Sequence, residues 1–491
     1  MAFLDWLVIA VYGAAVVGIG AVANRRQKQA DDYYLGGRNL PWWAVGISIL
    51  ATSFSAATLI TYPGAAAVNG FALLQLQIGD LIGFGLAAAI LIPVFRGAGL
   101  TTAYEYLGRR FGPAGRTLGA AVFVPQMLVR VGVLVYGPAL VLQELLGWSL
   151  LTAIGVTGVI AITYSALGGI AAVVWTDAIQ LLVVIAGVLA SLAIIAGDLP
   201  GGFDTIFATE AAKTPVIDLA RPVSQGHSLP WVLLAYGTLA LGVAGTNQQA
   251  VQRYLSCRDV RDARRAALTG WGIGLIAVTV TLVLGVGLGA WFAHEGRIVK
   301  PDRMLATFVA ERLPAGLGGL FVVAIFAAAM SSIDSAIHSM STVTIIDGLK
   351  RWRPGDLGRE LLVARLLTVA FGLLGIAAAF TVALAAGETT LLDTLLTWLG
   401  YFAGPIVGFF LLGVLTRAHG DFALEGVIVA FAGVATSVAR DLPGLAGFHP
   451  LWLAPAAALV TFGYGVVGSR FAAPGEPAPD LRSGPPGSRA G

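Results

Sequence analysis

Apolar runs of about 20 residues recur along the whole chain, separated by short polar segments that hold most of the charge. Each run is long enough to cross a hydrocarbon core of roughly 30 Å as a helix. Thirteen spans are predicted, near 3–22, 42–69, 73–95, 118–146, 149–172, 175–198, 230–250, 267–293, 316–346, 361–386, 389–414, 422–439 and 449–468. The alternating ten-residue segments of a membrane β-barrel do not occur. The pattern therefore predicts an all-α polytopic membrane protein. The opening MAFLDWLVIAVYGAAVVGIGAVANRRQK reads as a first span, not a cleaved signal. It lacks a basic start, its apolar run is too long, and its basic cluster follows that run.

Composition agrees with the pattern. Of 491 residues, 57% are hydrophobic and 12% charged, against about 25% charged in soluble domains. Mean hydropathy is +0.83. Charge sets the orientation. With the N-terminus outside, the loops at 23–41, 96–117, 251–266, 347–360 and 415–421, and the C-terminal tail, lie inside. These inner segments and their flanks hold 22 of the 30 basic residues, as the positive-inside rule expects. The bias accounts for a pI near 9.0 without invoking nucleic acid. The bacterial inner membrane is the expected location. The single cysteine, Cys257, excludes an intramolecular disulfide. The external connections at 199–229 and 294–315 have room for short helices. GRNLPWWAVG and TTAYEYLGRRFG read as helix starts at the inner face, and the Pro- and Gly-rich tail at 470–491 as disordered.

Two spans suit a continuous helix poorly. The second reads SILATSFSAATLITYPG, with hydroxyls from Ser48 to Thr58 and then Pro63-Gly64. The seventh reads LALGVAGTNQQAVQR, with two glycines before Thr246-Asn247-Gln248-Gln249. Five spans counted from each give two units of opposite orientation. Interrupted helices at matching positions of two halves point to a midplane binding site, where freed carbonyls coordinate cations. A third unusual stretch, AAAMSSIDSAIHSMS at 327–341, puts Asp334, His338 and five serines inside an apolar run. An ionisable group at that depth is costly and marks a function or a partner. His338 reads as a satisfied helix residue. Arg130, about thirteen residues into its span, is too deep to snorkel easily. It either pairs with Asp334 or Asp80, or forks onto the carboxylate of a substrate.

DDYYLGGRNLPWWAVGIS, TTAYEYLGRRFG, YSALGGIAAVVWTDAIQ, NQQAVQRYL and AAAMSSIDSAIHS resemble, in order, the recurrent motifs of the sodium/solute symporter family. The likeness runs from about residue 30 to 415. It implies a LeuT-type core of ten helices in a 5+5 inverted repeat and sodium as the coupled ion. The expected division is a first helix and inner loop (1–41), first repeat (42–198), external connection (199–229), second repeat (230–414), two peripheral helices (415–469) and tail. The resemblance implies a sodium site of carbonyls from Ala51, Phe54 and Ala328 with hydroxyls from Ser331 and Ser332. It offers a second, using Asp177 with Ser331, Asp334 and Ser335. Sialic acid transporters of the family carry serine where this chain has Asp334. That residue is therefore open to serving a cation, a proton or an ion pair. Those transporters also place substrate contacts at positions matching Ser53, Ser55, Thr58, Gln77 and Arg130. A carboxylate such as sialic acid is thus the implied substrate. VYGPAL and WTDAIQ equally resemble the monocarboxylate and iodide branch, and a neutral solute is the remaining alternative.

Enzyme and channel readings find no support. There is no HExxH, GxSxG or P-loop, and no filter-like loop or charged ring. The expected partners are sodium, a small solute and the bilayer, with the chain working as a monomer.

Overall fold

Where a helix must open inside a membrane, its freed backbone groups need substitutes, and two polar clusters supply them here. The computed structural model describes residues 2–26, 30–165, 169–352, 360–385, 391–440 and 448–471. In the first cluster, α2 (Trp42–Ser53) ends at Phe54, whose backbone is extended (φ −83°, ψ 85°). The chain restarts as α3 (Ala56–Asn69), with Ser55 accepting from the Thr58 amide as an N-cap. In the second, α8 (Trp231–Thr246) gives way at extended Asn247 to α9 (Gln248–Ser256). The Asn247 side chain caps α9 through the Gln249 amide at 2.9 Å. The first break lies at Phe54–Ser55, not at Pro63-Gly64. Those two residues lie inside α3, because proline in the bundle gives up only one helical hydrogen bond.

The remaining principal helices are α1 (Phe3–Arg26), α4 (76–97, with a π turn at Ala87–Leu91), α5 (Ala103–Leu146), α6 (Leu150–Ser165), α7 (Ile170–Asp198), α10 (Val260–His294), α11 (Pro301–Arg312), α12 (Leu317–Val343), α13 (Glu360–Ala385), α14 (Leu391–Leu415), α15 (Gly420–Arg440) and α16 (Leu453–Gly468). Among the described residues nine helices are long and apolar enough to cross a membrane. Shorter apolar segments lie at Phe3–Val16, Trp42–Ser53, Leu150–Ile162 and Trp231–Thr246, and two of these are halves of the broken spans. The connections at 199–229 and 294–315 carry short helices at Phe203–Ala208 and Glu210–Lys213, and α11. α5 turns at Gly112 (φ 77°), and its first segment begins, at the helix start read in TTAYEYLGRRFG, with a Thr102–Glu105 capping box.

α12 lies at the centre of the bundle and packs on α7, α5 and α2, while α10 covers α2 and α3. Small residues set these separations. A Cβ on Gly270 of α10 would stand 3.0 Å from the Gly46 carbonyl of α2. All of the α12 side chains from Ala327 to Val343 are buried, so its polar groups face protein, not lipid.

Candidate functional site

The break after α2 delivers the Ala51 and Thr52 carbonyls to the serines of α12. Ser331 Oγ donates to Ala51 O at 2.8 Å and to Ala328 O at 3.1 Å. Ser332 Oγ donates to Thr52 O at 2.8 Å. Ala51, Ala328, Ser331 and Ser332 are thus within contact of one another, with Phe54 at the adjoining break. The donor set is oxygen from carbonyls and hydroxyls with no sulfur. This suits a hard cation.

Beside this pocket opens a solvent-connected cavity of ≈ 140 Å³. Ser53, Ser55, Thr58, Gln77 and Arg130 all line it. Arg130 projects from α5 and is 6% exposed. Its Nη1 donates to Gln249 Oε1 at 3.0 Å and its Nη2 to Thr52 O at 3.3 Å, while its Nε has no hydrogen-bond partner. Neither Asp334 nor Asp80 pairs with it among the described residues. The ion-pair alternative for Arg130 therefore finds no partner there.

Two residues outside the expected set join pocket and cavity. Thr52 O accepts from both Ser332 and Arg130. Gln249 holds Arg130 with its Oε1 and donates from Nε2 to Ser332 O at 3.3 Å. Ser332 and the cavity arginine thus share two intermediaries. The NQQAVQR polarity signalled Gln249, whereas a backbone carbonyl such as Thr52 O leaves no mark in a sequence.

The Asp177 cluster differs from the sequence expectation. Asp177 and Ser335 are brought together, but around a protein cation. Arg253 Nη2 reaches Asp177 Oδ2 at 3.0 Å and Ser335 Oγ at 2.5 Å, and its Nε reaches Ser48 Oγ at 2.7 Å. Ser48 also donates to Asp177 Oδ2 at 2.5 Å. Asp334, 1% exposed, is within electrostatic reach of the same guanidinium. Arg253, counted by charge with the inner face, is in fact 1% exposed. Four acceptors compensate its burial, the fourth being Gln249 O at 2.9 Å. His338 packs its ring on Tyr33 at 4.8 Å and its Nδ1 meets Gln252 Nε2 at 3.3 Å, but its buried Nε2 has no hydrogen-bond partner, so the expected satisfied helix residue is met only in part. Asp393 and the tail after 471 lie outside the described side chains.

A helical bundle interrupted at two matched points, with carbonyl and hydroxyl oxygens gathered at one break beside a cavity lined by Arg130, has the form of an ion-coupled secondary transporter. The model of the sodium:solute symporter family matches residues 33–430, and the chain belongs to that family. The sodium/sialic acid symporter NanT of Aliivibrio fischeri is 29% identical, covering 95% of this chain and 90% of that protein. The sodium-coupled monocarboxylate transporter 2 of Danio rerio is 32% identical, over 87% of this chain and 70% of that one. A solved structure of a sodium-coupled sialic acid symporter, substrate-bound and outward-open, superposes with a TM-score of 0.88 at 26% identity. It covers 96% of this chain and 99% of its own. The chain is accordingly a multi-pass, LeuT-type membrane protein that couples solute uptake to sodium, and it is not an enzyme.

Proposed function

We propose that the transported solute is a carboxylate of the size of a sialic acid, held at Arg130. One observation carries this reading: a buried guanidinium lines the cavity without an acidic partner. A desolvated arginine with an unmet Nε gains most from a bidentate anion. Ser53, Ser55, Thr58 and Gln77 supply further polar contacts along the same wall. Similarity to sodium/sialic acid symporters favours a sialic acid over a short monocarboxylate, although a relative bearing the monocarboxylate name is equally similar in sequence.

We assign the coupled ion to Ala51, Phe54, Ala328, Ser331 and Ser332. Sodium there draws α12 to the α2 break and fixes Thr52 O and Gln249, which orient Arg130. Each ligand then strengthens the other's binding by the same factor. A second ion at Asp177, Asp334 and Ser335 must displace Arg253. A sodium-to-substrate ratio of two by dual-isotope uptake is the result that would establish it. We further assign repeats to 42–198 and 230–414, with the N-terminus outside and the working unit a monomer.

The test is a thermal-shift screen of purified protein against sialic acids, short monocarboxylates, sugars and amino acids in sodium or potassium. Stabilisation by a sialic acid in sodium alone is expected. A sugar or a neutral amino acid as the sole stabilising solute contradicts the carboxylate reading.

A further inference from the structure

The cavity wall carries an acid as well as Arg130. Asp80, one turn after Gln77 on α4, lines the same space. Gln77 Nε2 donates to its Oδ2 at 3.2 Å, and the Tyr236 hydroxyl donates to the same oxygen at 3.4 Å. Oδ1 receives no hydrogen bond, and no basic side chain pairs with Asp80 among the described residues. The Gln77 amide, having given its N–H to Asp80, leaves Oε1 as a second open acceptor. Trp271 fixes that residue from behind, donating Nε1 to Gln77 O at 3.0 Å.

Two acceptors on one wall and a guanidinium on another ask for a ligand of matching polarity. While the cavity is open, water meets Asp80. Once a substrate displaces that water, an acid with a bare hydrocarbon end leaves the carboxylate unmet, and a small anion is repelled by it. A substrate that turns hydroxyls, an amide N–H or an ammonium toward it loses nothing. Discrimination of this kind works against the wrong ligand more than for the right one.

We propose that Asp80 and Gln77 form an acceptor subsite that selects carboxylates carrying hydrogen-bond donors at the far end over aliphatic carboxylates and halides. The inference rests on Arg130 as the carboxylate site and adds a specificity determinant to it.

Binding to purified protein in sodium is measured by calorimetry for N-acetylneuraminate, gluconate, 4-aminobutyrate and propionate. Gluconate and 4-aminobutyrate separate hydroxyl donors from an ammonium. The wild type should bind at least one of the three donor-bearing acids tenfold or more tighter than propionate. Asp80→Asn should erase that preference, weakening the donor-bearing acid about tenfold while propionate binding holds or improves. Asp80→Ser serves as a second variant, and stabilisation by sodium alone reports that each is folded. The proposal is overturned if propionate binds the wild type as tightly as the best donor-bearing acid. It is also overturned if no donor-bearing acid binds, or if the folded Asp80 variants keep the preference. Arg130→Lys separates the two readings. Its loss of all carboxylate binding alongside unaffected Asp80 variants removes only the Asp80 subsite, whereas its unchanged binding removes the carboxylate site itself.

Discussion

Arg130 combines a buried charge with incomplete satisfaction: two of its nitrogens are met by Gln249 and Thr52, and Nε is not. Replacement by lysine keeps the charge but loses the planar fork. We expect Arg130→Lys to weaken carboxylate binding at least tenfold, about 1.4 kcal/mol, with the protein still inserted and stabilised by sodium. Calorimetric affinities for the two proteins check this, and equal values would make Arg130 structural. Arg130 was legible in the sequence because a charge inside an apolar run is conspicuous. Family motifs pointed to Asp177, Ser331 and Ser332; the structure brings the two serines to the Ala51 and Thr52 carbonyls but pairs Asp177 with Arg253. Arg253 was misplaced because charge counting assigns a basic residue near a span's end to the nearest surface. Only the fold shows that Ser48, Asp177, Ser335 and Gln249 O surround it.

At the scale of elements, the proposed ion site is the contact between the α2–α3 break and α12. Removing both hydroxyls with Ser331→Ala and Ser332→Ala should raise the sodium concentration for half-maximal uptake several-fold. An unchanged sodium dependence in proteoliposomes would remove the site assignment. The start of α12 depends on a different device. Asp5 of α1 accepts from the amides of Gly316 and Gly319, each at 2.8 Å, and thereby caps α12. Asp5→Ala should cost about 1–2 kcal/mol of stability, the range of a lost N-cap. It should lower Tm without moving the half-saturating sodium concentration; a shift in the latter would tie α1 to ion binding. Span existence was readable from twenty-residue apolar runs, since the bilayer enforces that length. The first break was legible only through the family motif, which implies freed carbonyls at Ala51 and Phe54. The chain opens there, where the Ser55 cap and the serines of α12 meet the freed backbone groups.

Over the whole molecule, transport requires that sodium and solute stabilise the same arrangement. Thr52 O and Gln249 each touch the ion-binding helix and Arg130, so ordering one site prepares the other. On the proposed assignment, sodium at α12 and a carboxylate at Arg130 close the α2–α3 break between them. Release of either on the far side loosens the same two contacts. The most direct test is the affinity of the wild-type protein for N-acetylneuraminate, by calorimetry, in sodium chloride and in potassium chloride of equal ionic strength. The account predicts binding at least tenfold tighter in sodium, a difference that shrinks when Ser331 and Ser332 are both alanine. Equal affinity in the two salts would contradict it.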